Sequence, residues 1–271
     1  MRVQIRRLNQ QDKITLQETA GLAIVTLHRP QSRNALTVQM WEELAEVVKK
    51  AAANPKNRVL LLRGSGEQFT SGSDLKEFYQ MELAEAEAAF RVMDQAISAV
   101  ERLPFPTVAV INGPAMGAGL QLALACDLRI GSPLAKMGMP VSRLGITLDM
   151  SFTKRLVDLI GPSRTKDMVY TNRIFSAEEC LQIGLLNYLV AEEELDRFAV
   201  EKAYLIASQS AASLRAVKRN VAQLSPRPEV AWEDSQYRFV DPVDFPVGVA
   251  SFVDKKPPRF PRPGKKDEVE G

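Results

Sequence analysis

Two short glycine-bounded turns, Gly72-Ser73-Asp74 and Gly117-Ala118-Gly119, are the segments of this sequence best suited to chemistry. The first lies in Phe69-Thr70-Ser71-Gly72-Ser73-Asp74-Leu75. The second follows a strand-like run, Thr107-Val108-Ala109-Val110-Ile111, and leads into an apolar helix over residues 120–126. Each turn puts a backbone N–H, that of Ser73 or of Ala118, at a junction where the donor has no intrahelical partner. The glycines let the backbone approach a ligand closely. Two such N–H groups aimed at one point form an oxyanion hole, each of whose donors is worth about 10²- to 10³-fold in rate. The same glycines also suit tight turns that only permit close packing, and the turns alone do not separate the two readings.

Most other catalytic devices are ruled out. His28 is the single histidine of the 271 residues, so a Ser-His-Asp triad, a Cys-His pair or a multi-histidine metal site is built on it or not at all. It follows the strand-like residues 23–27 and reads as a surface histidine at a strand end. Cys126 and Cys180 sit in apolar helical contexts without CxxC spacing, as buried free thiols do. Catalysis is left to carboxylates and backbone dipoles. The net charge of +2 gives no reason to invoke nucleic acid or an anionic membrane surface. With no signal-like segment and no run of about 18 apolar residues, a cytoplasmic protein is expected.

The elements that must position the turns are legible in outline. Residues 15–27 read as a hairpin turning at Ala20-Gly21. Thr37 caps a helix to about residue 52, with Met40, Leu44, Val47 and Val48 on one face. Val59-Leu60-Leu61-Leu62 suits a strand covered on both faces. Residues 82–103 are alanine-rich and helical, residues 128–130 form another strand, and the alternation indicates an α/β architecture. Ser176 and Glu179 make a capping-box pattern for a helix stopped by Gly184. Helical patterning returns over 193–224, the chain beyond Pro226 is Pro-rich and charged, and Lys255 opens an extended arm. The expected organisation is a core over 1–192, a helical C-terminal region over 193–260 and a mobile tail over 261–271.

The segments LHRPQSRNAL, FTSGSDLKEF, FPTVAVINGPAMGAGLQLALACDLRI and TNRIFSAEECLQIGLLNYLV together resemble the crotonase superfamily, the enoyl-CoA hydratase/isomerase family, collinearly over about residues 15–190. The resemblance implies a crotonase fold of repeated β-β-α turns with a helical C-terminal region for trimerisation. The chain would then be a homotrimer or a hexamer built as a dimer of trimers. It makes Ser73 and Ala118 the oxyanion hole of an acyl-CoA enzyme, with Gly72, Gly117 and Gly119 permitting the approach. The CoA adenine would lie along Ser73, Asp74, Leu75 and Lys76, with its phosphates near Arg29 and Arg33. Lys255 would reach a neighbouring subunit's CoA. No cofactor is implied beyond the coenzyme A of the substrate.

Two positions depart from the family's hydratases. Where these carry glutamates, the sequence has Gln121 and Val141, neither of which transfers a proton. Other branches place a carboxylate in the loop that here begins at Gly145, and the matching residue is Asp149. Asp149 also precedes a helical stretch ending at Gly161-Pro162, so it suits an N-cap as well as a base. As a base it would take a proton from a bound enoyl-CoA and return it elsewhere, an isomerisation. Gln121 would orient substrate or water, or simply pack. Thioester hydrolysis, C–C bond cleavage, weak hydration and acyl-CoA binding without turnover are the alternatives. The acyl pocket is expected to draw on Met116, Met137, Met139 and Met150.

Overall fold

The computed structural model describes residues 14–225 and 239–261. The expectations for the N-terminal segment, for most of the Pro-rich stretch after Pro226 and for the tail beyond residue 261 fall outside these residues. The hairpin forms as expected, β1 (Ile14–Thr19) pairing antiparallel with β2 (Leu22–Leu27). Ala20 and Gly21 both take positive φ, 46° and 85°, the conformation of two-residue hairpin turns. Helix α1 (Val38–Ala53) is capped by Thr37, whose hydroxyl accepts from Met40 N–H. It buries Met40, Leu44 and Val48, while Val47 is only half-buried.

Strand β3 (Val59–Gly64) adds parallel to β2. Helices α2 (Leu75–Phe78) and α3 (Leu83–Glu101) lead to β4 (Thr107–Ile111), followed by β5 (Pro114–Met116), α4 (Ala118–Leu124), β6 (Leu128–Gly131) and β7 (Lys136–Gly138). Then come α5 (Met150–Thr171), β8 (Ile174–Ser176), α6 (Ala177–Ile183), β9 (Tyr188–Leu189), α7 (Leu195–Ala207) and α8 (Ala211–Leu224). The main sheet has the order β1-β2-β3-β4-β6-β9, parallel after the hairpin, and β5-β7-β8 form a second, smaller sheet. The apolar run in β3 is covered on both faces. Leu60 and Leu62 join the large core with α1 and α3, while Val59 and Leu61 pack with Leu195, Ala199 and Ala203 of α7. Alternate side chains of a strand point to opposite faces, so an unbroken apolar run requires a layer on each side.

Three helical regions differ from the sequence pattern in instructive ways. Patterning over 193–224 is interrupted at Ser208-Gln209-Ser210, where Ser210 caps α8 afresh by accepting from Ser213 N–H. Helix α5 does change direction at Gly161 (φ 76°), but Pro162 restarts it and the helical course runs on to Thr171. Proline lacks the N–H that the first turn of a helix leaves unused, so it suits a restart. The third region, α9 (Asp244–Val253), was not legible in the sequence, because Pro246 and Gly248 argue against a helix. Pro246 sits in its first turn, where it is tolerated. Gly248 is required by packing, since a Cβ there would stand 2.5 Å from Leu144 Cα. Tertiary contact thus outweighs propensity. No helix among the described residues is long and apolar enough to cross a membrane.

Candidate active site

The two glycine turns meet. Thr70 joins them, its N–H donating to Pro114 O (3.2 Å) and its carbonyl accepting from Met116 N–H (3.1 Å). Its hydroxyl donates to Asn34 O (2.6 Å) and accepts from Gly72 N–H (3.0 Å). A Cβ on Gly72 would stand 2.7 Å from Met116 O and 3.1 Å from Ala118 N, and one on Gly119 would stand 2.5 Å from Thr70 O. The glycines therefore bring the Ser73 and Ala118 backbones together, a contact that any side chain would prevent.

Both candidate donors are left over by the local hydrogen bonding. Leu36 bridges to Ser73 in parallel fashion, with Leu36 N–H donating to Gly72 O (2.8 Å) and Asp74 N–H to Leu36 O (2.8 Å). A residue bridged this way has its own N–H and C=O facing the opposite side. Ala118 opens α4, where N–H groups have no intrahelical acceptor. Neither N–H donates to any described residue. The Ser73 side chain points elsewhere: Oγ accepts from Trp41 Nε1 (3.1 Å) and lies 3.4 Å from Met93 Sδ. Ser73→Ala should therefore cost about 1–3 kcal/mol in denaturant unfolding, by leaving the buried indole N–H of Trp41 unpaired. The backbone donor survives, so turnover should change only a few-fold.

Asp149 caps α5, its Oδ1 accepting from Phe152 N–H at 2.7 Å. Its other oxygen, Oδ2, is buried and has no partner. The residue is 8% exposed, and burial pushes its carboxyl above the ordinary value. The charge of Asp94 adds to that rise, while the Phe152 hydrogen bond and Arg155 oppose it. A path of contacts ties this carboxylate to the glycine turns. Gln121 lies one turn along α4 from Ala118, and its Nε2 donates to Phe152 O (3.2 Å). Its Oε1 accepts from Arg155 Nη1 (3.3 Å). Gln121 is fully buried with both ends of its amide bonded to protein, so it fastens α4 to α5. Val141 is buried in a short turn, Pro140–Arg143, and carries no polar group to the site.

The remaining expected residues are dispersed around the first turn. Asp74 caps α2 by accepting from Lys76 N–H (3.1 Å) and forms an ion pair with Arg29 at 2.6 Å. Arg29 is thereby turned inward, its Nη1 also donating to Ala35 O (3.1 Å). Arg33 is exposed and makes no ion pair with a described residue, Leu75 is half-buried, and Lys76 and Lys255 are exposed. His28 stands at the end of β2 as expected and is half-buried, with its Nδ1 buried and unpartnered. Cys126 and Cys180 are buried, and burial pushes both thiols up to about 12, which leaves them unreactive. Met137 and Met139 belong to the core, while Met150 is largely exposed.

Several residues that build the site were missed by sequence reasoning. Asn34, held at φ 53°, donates through Nδ2 to Ser65 O (2.9 Å) and Gln68 O (2.8 Å), and so secures the approach to the first turn. Arg155 is buried between α4 and α5 and meets Glu101 at 3.4 Å, and burial brings its guanidinium down to about 10. Asp94 and Glu101 are seven residues apart on α3, hence on one face, the only signal that could have paired them. A charge on an amphipathic helix reads as solvent-facing until its neighbours are known.

The sequence model of the family described as enoyl-CoA hydratase/isomerase matches residues 17–263. The chain belongs to the enoyl-CoA hydratase/isomerase family. Among similar members, a crotonyl-CoA hydratase of Syntrophomonas wolfei is 34% identical over 185 residues, 68% of this chain and 71% of the relative. An enoyl-CoA isomerase/hydratase of Mycosarcoma maydis, fer4, is 32% identical over 214 residues, 76% of this chain and 78% of the relative. Among solved structures, an enoyl-CoA hydratase/carnithine racemase from Magnetospirillum magneticum superposes with a TM-score of 0.76 at 32% identity, covering 93% of this chain and 96% of that one. The crotonase fold and an acyl-CoA enzyme of this family are thereby established.

Proposed function

We propose that the protein moves the double bond of an enoyl-CoA thioester, with Asp149 as the base and the N–H groups of Ser73 and Ala118 as the oxyanion hole. One observation carries the reading: Asp149 divides its two oxygens, Oδ1 serving the helix cap while Oδ2 is buried and unpartnered. The cap and the base are different atoms, so one carboxylate fills both roles. Oδ2 takes a proton from the acyl chain, the electron pair delocalises onto the thioester oxygen, and the same proton returns at the other end of the allylic system. A shift of this kind needs one acid–base group, as fits a chain with Gln121 and Val141 in place of glutamates.

The proposed CoA site runs along Ser73, Asp74, Leu75 and Lys76, with Gly72, Gly117 and Gly119 clearing the approach. Arg33, Lys76 and Lys255, all exposed and in no ion pair with a described residue, are cations available to phosphates, while Arg29 acts mainly through Asp74. Self-association into trimers is supported by α8, which buries no side chain and exposes Val217, Val221 and Leu224. The proposed setting is cytoplasmic, with CoA arriving as part of the substrate. Relatives named as hydratases favour a second reading, water addition, which product analysis with a 2-enoyl-CoA separates from isomerisation of a 3-enoyl-CoA.

The pH dependence tests the base. Catalysis requires ionised Asp149, and burial together with Asp94 holds its carboxyl above the ordinary 3.8. The kcat/KM for isomerisation should therefore fall on the acid side with a midpoint above 3.8. An acid limb at or below that value would remove Asp149 from the role.

A further inference from the structure

Ala118 and Asp149 stand on different elements, the first at the start of α4 and the second at the start of α5. A single residue joins them. Phe152 N–H donates to Asp149 Oδ1 (2.7 Å), and Phe152 O accepts from Gln121 Nε2 (3.2 Å). Gln121 is three residues after Ala118, one turn along α4 and on the same side of it. The other end of its amide, Oε1, accepts from Arg155 Nη1 (3.3 Å), and Arg155 Nη2 reaches Glu101 of α3 (3.4 Å). The guanidinium also lies over the Phe152 ring, 5.3 Å from its centroid. Ala118, Gln121, Phe152 and Asp149 thus form a continuous chain of covalent and hydrogen bonds, and Arg155 holds its middle.

We propose that Arg155 and Gln121 are positioning residues, a clamp that fixes the Ala118 N–H relative to Asp149 Oδ2 without touching the substrate. The inference rests on the reading of Asp149 as the base and of Ala118 N–H as an oxyanion donor. Proton transfer to Oδ2 and the growth of charge on the thioester oxygen belong to one transition state, so both groups must be in register at the same moment. A misplacement of about 1 Å between such groups costs about 10²-fold in rate. Gln121 is fully buried and Arg155 is 6% exposed, so water does not replace a partner that either one loses.

The partners dictate the residue types. Phe152 O only accepts and the guanidinium only donates, so the side chain between them must do both, as an amide does and a carboxylate does not. A glutamate at position 121, as in the family's hydratases, would pair with Arg155 and turn its second oxygen against the Phe152 carbonyl with no proton between them. The clamp therefore accounts for glutamine at this position. Arginine suits the other side because its planar fork serves acceptors on two helices through separate nitrogens, whereas lysine has one. Glu101 supplies the counter-charge that a buried guanidinium requires.

Steady-state kinetics of the full chain on a 3-enoyl-CoA, with Gln121→Met, Arg155→Met and the double variant, test the clamp. Arg155→Met strands no buried charge, because the Glu101 side chain is 34% exposed. Each single variant should lower kcat by about 10- to 100-fold and leave KM within about threefold, since the groups that bind CoA are untouched. The double variant should be no slower than the worse single one by more than about threefold, because both act through one joint. Wild-type kcat in either folded single variant, or losses that multiply in the double one, overturns the clamp. Gln121→Glu, nearly isosteric, keeps the question open to test if the methionine variants do not fold. It should lose kcat and gain no hydration of a 2-enoyl-CoA, whereas wild-type kcat or a gained hydratase activity would show residue 121 facing the substrate and overturn the proposal. Full activity of Asp149→Asn removes the base and the positioning role with it. A disabled Asp149→Asn beside a fully active Gln121→Met removes the positioning role alone.

Discussion

Asp149→Asn is expected to lower kcat/KM for isomerisation of a 3-enoyl-CoA by about 10²- to 10⁴-fold, the usual worth of a positioned acid–base group. The substitution is selective because asparagine remains a good N-cap: its side-chain oxygen can still accept from Phe152 N–H, which Asp149 now binds at 2.7 Å. Helix α5 and the attachment of Gln121 to Phe152 O should survive. Asp149→Ala loses both roles and should also cost about 0.5–2 kcal/mol for the missing cap. Stability supplies a second readout. With its folded pKa above the unfolded one, Asp149 contributes stability that is fully present below the unfolded value and is lost as pH rises through the folded value. At pH 8 the melting temperature of Asp149→Asn should therefore equal or exceed that of the wild type, whereas Asp149→Ala should melt lower. Retention of full isomerase activity by Asp149→Asn would reduce Asp149 to a cap.

Gly72→Ala should reduce kcat by about 10²- to 10³-fold, the cost of disabling one oxyanion donor. Gly72 has a φ of 92°, and a Cβ there would lie 2.7 Å from Met116 O and 3.1 Å from Ala118 N. The methyl would push the two turns apart at the point where their N–H groups must converge. The strained backbone should also destabilise the fold by about 1–3 kcal/mol. Steady-state kinetics on folded enzyme separates the two effects, and Ser73→Ala is the control that loses stability through Trp41 while keeping both donors. A Gly72→Ala enzyme with wild-type kcat would show that the turns only pack.

The sequence by itself determined the local units of this protein. The Ala20-Gly21 hairpin, the Thr37 and Ser176 caps, the doubly buried β3 and the two glycine turns all rest on signals within a few residues, where backbone dihedrals and hydrogen-bond partners are local. The family resemblance likewise rests on contiguous motifs. The tertiary structure decided which groups share a buried volume. It turned Arg29 inward onto Asp74, bonded both ends of Gln121 within the protein, folded α9 despite Pro246, and set Arg155 of α5 against Glu101 of α3. The division has a physical cause. Caps and turns are fixed by neighbours along the chain, but the protonation and the partner of a carboxylate depend on desolvation and on charges packed against it from other helices. A sequence lists those charges without saying which of them meet.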